Sequence, residues 1–330
     1  MRSALQRELL VVTGKGGVGK TTLASALGLL ASEQGLRTIV VEVGEQARLP
    51  ALFGAPTPQP GVETELQRGL WSLTIDLDRA LMEWLQALGG RVSGRVLASS
   101  STFQYFAAAA PGAKELISMV KIWELTSAKR WRGRGRGYDL VVLDAPATGH
   151  ALGMLGSPGT FGRIARVGPI ATQAERVRTL LEDPARSGYL AVAQGTEMAI
   201  TETLELQAKL REQVGRELDA VVVNGVLPQR FSAPELRLLA PLGERSGQAE
   251  NGARHVAAPS AGDADGSTVA IRRSALSAAH AVSDRARFQR NQLARLRRRS
   301  FRVIAVPFQF TAELDLPSVR RIAAHLHRTL

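Results

Sequence analysis

Two apolar rhythms alternate along this chain. Short, nearly unbroken apolar runs recur at residues 9–12 (LLVV), in RTIVVEV up to Val43, in LWSLTID (70–76), in YDLVVLD ending at Asp144, in GYLAVAQ, in LDAVVVNGVLP (218–228) and in FRVIAVP. Runs of this length with little polar alternation predict buried strands, with LWSLTID read as an edge strand. Between them the spacing becomes helical. Leu23, Leu27 and Leu30 share one face, as do Leu81, Trp84, Leu85 and Leu88, followed by Val92 and Leu97. Pro111 breaks that pattern, and a helix predicted over 113–129 places Leu116, Met119, Val120 and Trp123 on a broad apolar face. Further helices are predicted over 151–187, after the strand GYLAVAQ, and at the end of the chain. Strands alternating with helices predict an α/β fold: a doubly wound, mostly parallel sheet with any ligand at the carboxyl ends of its strands.

The interruptions refine that outline. GEQARLPALFG reads as a loop with one short helical turn, and Pro56, Pro58 and Pro60 forbid regular structure after it. Helical patterning over about 78–128 and 151–187 predicts a helical subdomain within a single domain spanning 1–330. KRWRGRGRG (129–137) reads as a basic surface turn, with RNA contact as its alternative. Residues 243–268 shift to Gly, Ala, Ser, Asp and Glu, which predicts a flexible insertion. A long helix is predicted over 269–299, where nine arginines face Asp284 as the only acid and Leu276, Ala279, Ala286, Leu293 and Leu296 form a thin stripe. Its arginines lie on several faces, which suits a structural or phosphate-facing surface and not sequence-specific DNA readout.

The 330 residues carry a net charge of +12, much of it in that helix, so the partner is expected to be anionic: nucleic acid, a membrane surface or a small ligand. There is no cysteine, which excludes disulfides, Cys-ligated zinc, iron–sulfur clusters and thiol catalysis. Any metal is therefore expected on oxygen ligands. No signal-peptide pattern opens the sequence and no apolar run approaches the roughly 18–20 residues of a membrane span, so a cytoplasmic location is expected.

The chemistry is concentrated where the first strand turns into the first helix. Gly14, Gly19, Lys20 and Thr21 satisfy the G-x-x-x-x-G-K-[ST] phosphate-loop pattern between a strand and a helix. Backbone N–H groups of residues 14–22, including Gly16, Gly17, Val18 and Thr22, are expected to cradle ATP. Lys20 is expected to reach the β- and γ-phosphates and the Thr21 hydroxyl to ligate Mg²⁺. Asp144, ending a buried strand, is expected as the second metal-side group, its alternative being a turn-starting Asp. The loop holds a second lysine, Lys15. It is either a solvated charge or a cation for the phosphates of a neighbouring subunit.

GKGGVGKTT resembles the deviant Walker A motif of the family containing ParA, MinD, the nitrogenase iron protein and the ArsA-like ATPases, whose signature lysine acts across a dimer interface. DAPATGHAL (144–152) is similar to the switch II segment of the ArsA-like branch. That resemblance implies a Mg²⁺-dependent ATPase working as a homodimer, with Gly149 directed at the γ-phosphate, Asn224 contacting adenine, and Pro307 and Phe308 on the adenine-side loop. His150 is read as a polar hinge-side residue. The family's paired cysteines for zinc and its arsenite-binding cysteines are missing, and five Met argue against a methionine-rich groove for a membrane helix, so the client stays open between an anion and a protein. A ParA/MinD-like partition or positioning protein, and a nucleotide-gated binding module with negligible turnover, stand as alternatives. Relatives usually carry an aspartate after the second strand to orient the attacking water. Here Glu42 and Glu45 are the carboxylates within reach, and their extra methylene predicts slow hydrolysis; as an alternative, Glu42 caps the strand and Glu45 is solvated.

Overall fold

The computed structural model describes residues 5–44, 47–99, 112–131, 135–164, 168–232, 234–235, 237 and 263–329. Eight strands form one sheet in the order β3-β4-β2-β5-β1-β6-β7-β8. They are β1 (Leu9–Gly14), β2 (Thr38–Glu42), β3 (Thr64–Gln67), β4 (Leu70–Thr74), β5 (Leu140–Ala147), β6 (Ser187–Gln194), β7 (Ala220–Val226) and β8 (Arg302–Pro307). All neighbours are parallel except β3 with β4. This corrects one expectation. LWSLTID is not an edge: β4 pairs with β2 on one side, and the short, half-exposed β3 covers its other side. A four-residue strand with a polar face gave no apolar run to detect.

Alternation along each strand divides the core into two layers. Leu9 and Val11 of β1 point into one layer, Leu10 and Val12 into the other. Over the second layer lie α1 (Lys20–Glu33), the short α2 (Leu49–Leu52) and α9 (Leu316–Thr329). The first layer is covered by α3 (Leu77–Ser99), α4 (Ala113–Thr126), α5 (Thr148–Ile164), α6 (Pro169–Glu182), α7 (Glu197–Val214) and the end of α8 (Asp263–Arg297). The long helix α8 begins at Asp263, inside the stretch expected to be a flexible insertion, whose residues 243–262 lie outside the described ones. Its last turns dock. Ala286, Gln289, Leu293 and Leu296 are buried, whereas none of the described side chains between 271 and 285 is. Among the described residues no helix is long and apolar enough to cross a membrane.

A buried ion network fixes α3 and α4 to the sheet margin. Arg130 donates to both oxygens of Glu63 at 2.7 and 2.8 Å and to both of Glu124 at 3.0 and 2.9 Å. Lys121 bridges Glu83 and Glu124 at 2.9 and 3.0 Å, and the Tyr138 hydroxyl donates to Glu63. Burial pushes the Glu63 carboxyl up, but the Arg130 guanidinium and Tyr138 outweigh it and hold it at about 2. The basic stretch 129–137 is thus only partly a solvated turn: Arg130 is 3 % exposed, and residues 132–134 lie outside the described ones.

Candidate functional site

The carboxyl ends of β1, β5 and β2 converge on the phosphate loop. At the end of β1, Gly14 has φ +146° and pairs with Val192, where a Cβ would fall 2.2 Å from the Val192 carbonyl oxygen. Only glycine lets the two backbones approach this closely. Gly19 closes the loop at φ +95°, and a Cβ there would meet the Asn224 amide at 2.3 Å. Gly16 and Gly17 are exposed, Val18 is buried, and Thr22 is buried in the first turn of α1. No side chain caps α1 and no acid lies in its first turn. Its first N–H groups and the positive end of its dipole therefore face the loop without an internal anion, the arrangement that receives phosphate.

Register brings together the groups expected on the metal side. Asp144 lies opposite Val12 of β1 and Glu42 of β2. The Thr21 hydroxyl donates to Asp144 Oδ2 at 2.6 Å, while Asp144 Oδ1 is buried with no partner. Burial raises the Asp144 carboxyl, opposed by the Thr21 hydrogen bond and by Lys20. A buried, unpartnered carboxylate oxygen beside a hydroxyl fits Mg²⁺, which takes few protein oxygens and completes its shell with water and phosphate. Lys20 Nζ donates to the Lys15 carbonyl at 3.1 Å, and burial lowers its pKa against the pull of Asp144. The strand runs three residues beyond Asp144, straight into α5. This leaves Gly149 and His150 exposed in the first turn of α5, with no heavy atom within 4 Å of a Cβ built on Gly149.

Glu42 is 5 % exposed and caps α2: its Oε1 accepts from the Arg48 and Leu49 N–H groups at 2.9 and 3.1 Å. Its Oε2 has no partner. Glu45, the other expected water-positioning carboxylate, lies outside the described residues. Burial raises Glu42 to about 7, with Asp144 adding to the rise and the two N–H bonds opposing it. The native state therefore binds a proton that the unfolded chain releases above its ordinary value near 4.5. The associated stability is full below that value, falls as pH rises, and is lost above about 7; a shift of this size is worth roughly 3 kcal/mol. Glu42→Gln, neutral throughout, is expected to flatten the stability profile between pH 5 and 8 in denaturant titrations. An unchanged profile would show that Glu42 does not hold this proton.

On the far side of the loop, Asn224 Nδ2 donates to the Val18 carbonyl at 2.9 Å. Phe308, directly after Pro307, donates its N–H to the Val226 carbonyl and makes an edge contact with Phe310 at 4.9 Å; the Arg230 guanidinium lies 4.7 Å from the Phe310 ring centre. Phe310 and Arg230 were not singled out from the sequence, because an exposed aromatic after a strand carries no pattern of its own. Lys15 lies at the loop's outer face. Its Nζ donates to Glu202 Oε1 at 2.8 Å and to Met198 Sδ at 2.9 Å, both on α7 of the same chain.

This sheet and loop arrangement is the α/β fold of the phosphate-loop nucleoside-triphosphatases. Residues 7–167 match the profile of the anion-transporting ATPases. The chain is 30% identical over 236 residues to ATPase BagA of Mycobacterium tuberculosis, covering 69% of this chain and 68% of that protein. It is 28% identical over 232 residues to a putative arsenical pump-driving ATPase of Halobacterium salinarum, covering 67% and 36% of the two chains. With ATPase GET3C of Arabidopsis thaliana it shares 25% identity over 281 residues, 70% of each. The chain belongs to the ArsA-type anion-transporting ATPase family.

Proposed function

We propose that this protein is a Mg²⁺-dependent ATPase whose nucleotide state switches a homodimer. The observation that carries the reading is the convergence of Lys20, Thr21 and the unpartnered Oδ1 of Asp144 at an uncapped helix N-terminus. Loop N–H groups bind the phosphates, and Lys20 exchanges the Lys15 carbonyl for a phosphate oxygen. Thr21 and Asp144 would hold Mg²⁺, which neutralises phosphate charge when bound. Asn224, Pro307 and Phe308 form the base side, and Gly149 offers an N–H from the start of α5. Hydrolysis is slow in this reading. Glu42 is committed to capping α2 through one oxygen, which leaves a single oxygen to orient water; Glu45 is the second candidate for that task.

Lys15 reaches the phosphates of the second subunit. Its pairing with Glu202 leaves both side chains more than a third exposed, and such a pair holds a lysine by no more than about 1 kcal/mol, little against the gain from phosphate. Lys15→Ala is expected to abolish ATP-dependent dimerisation, seen as a light-scattering mass that stays monomeric with Mg²⁺·ATP, and to cut phosphate release by about tenfold or more. A monomeric wild type at saturating Mg²⁺·ATP, or full turnover by the variant, would refute the cross-subunit role.

The client is an anion or a protein. The relatives' names include arsenical pump-driving ATPases, but without cysteine this chain has no thiolate site for trivalent arsenic, which leaves hard oxyanions or a polypeptide. The family match extends through DAPATGHAL, and this favours the ArsA-type reading over a partition protein.

A further inference from the structure

We infer that Gln289, on the docked end of α8, is a positioning residue for the base side of the nucleotide site: it braces the bulge in β7 that sets Asn224 and, through Val226, Phe308. Between Val223 and Val226, β7 advances three residues while β8 advances two, from Ala305 to Pro307. The extra residue is accommodated at Asn224–Gly225, where Gly225 takes φ +70°. A bulge of this kind re-aims a side chain and takes backbone groups out of the ladder. Both consequences are present. Asn224 turns its amide onto the Val18 carbonyl at 2.9 Å, and the Gly225 carbonyl and Leu227 N–H are served by one side chain: Gln289 Nε2 donates to the former at 3.1 Å and its Oε1 accepts from the latter at 2.8 Å. A glutamine amide offers the same donor and acceptor as a peptide unit, so Gln289 replaces the neighbouring strand where the ladder is interrupted.

The brace is rigid. Gln289 is 7 % exposed, and a Cβ on Gly195, at the end of β6, would meet its Cγ at 2.8 Å. The same bulge sets the base side, because the Phe308 N–H bonds the Val226 carbonyl and Phe308 lies 3.7 Å from a Cβ built on Gly225. Through Gln289 the docked end of α8 reaches the end of the site opposite Thr21 and Asp144.

The inference rests on the nucleotide-binding reading, and ligands with and without a base separate the two. Full-length wild type, Gln289→Leu and Gly195→Ala are titrated with ATP and with inorganic tripolyphosphate, each with Mg²⁺. Gln289→Leu leaves two backbone groups unpaired, and Gly195→Ala displaces the amide without removing it. Both are expected to weaken ATP by about tenfold while tripolyphosphate changes by less than about threefold. ATP affinities within about twofold of wild type in both variants, or parallel losses for both ligands, would overturn a positioning role on the base side. Should Gln289→Leu fail to fold, Gly195→Ala decides by the same criteria. A wild type that binds neither ligand would overturn the nucleotide reading and this inference with it.

Discussion

Lys20→Ala is expected to lower ATP affinity on the order of 100-fold and to remove measurable phosphate release. The side chain supplies a positive charge with directed donors beside the loop's neutral N–H groups, and charge-assisted hydrogen bonds to phosphate are among the strongest a protein makes. Burial already depresses the Lys20 pKa, and the nearby Asp144 only partly compensates. Phosphate therefore relieves a cation that the fold has desolvated. Alanine in the same position keeps the helix start, so the variant should melt within a few degrees of wild type while losing ATP in equilibrium titration. Unchanged ATP affinity would remove Lys20 from the site.

The second large effect is structural. Glu124→Ala is expected to cost roughly 3–5 kcal/mol of stability, because it takes a buried carboxylate away from two buried cations. Glu124 is 1 % exposed and serves Lys121, two nitrogens of Arg130 and the Trp131 N–H. Glu63 and Glu83 keep one bond set each to Arg130 and Lys121, but three carboxylates facing two fully desolvated cations become two, and the Trp131 N–H loses its acceptor. Urea denaturation of the variant and wild type measures the difference. A loss below about 1 kcal/mol would mean that water replaces Glu124 and that the network does not anchor α4.

How far the sequence anticipated this structure follows from how local each feature is. The strand, loop and helix around Gly14–Thr21 were legible because β1, the glycines and α1 are contiguous, and Gly14, Gly17 and Gly19 each answer a positive φ. Asp144 was legible for a related reason, since a carboxylate ending an apolar run stands out. The exposed polar strand β3 and the Arg130 network were not. Arg130 pairs with Glu63, 67 residues away, and in the sequence it reads as one more charge in an arginine-glycine stretch. Gln289 is hidden in the same way among the arginines of α8, and its contact with Gly225 spans 64 residues. The bonds from Glu42 to the start of α2 were hidden for a different reason: the sequence shows the single turn of α2 but not which side chain caps it.

The central claim is that residues 14–22, with Asp144, form a Mg²⁺-dependent ATP site. Equilibrium titration of the full chain with ATP, once with Mg²⁺ and once with the metal chelated, tests it most directly. The account predicts saturable binding of one ATP per chain, at least about tenfold tighter with Mg²⁺, and loss of that metal-dependent gain in Asp144→Asn. No saturable binding, or binding indifferent to both Mg²⁺ and Asp144→Asn, would contradict it.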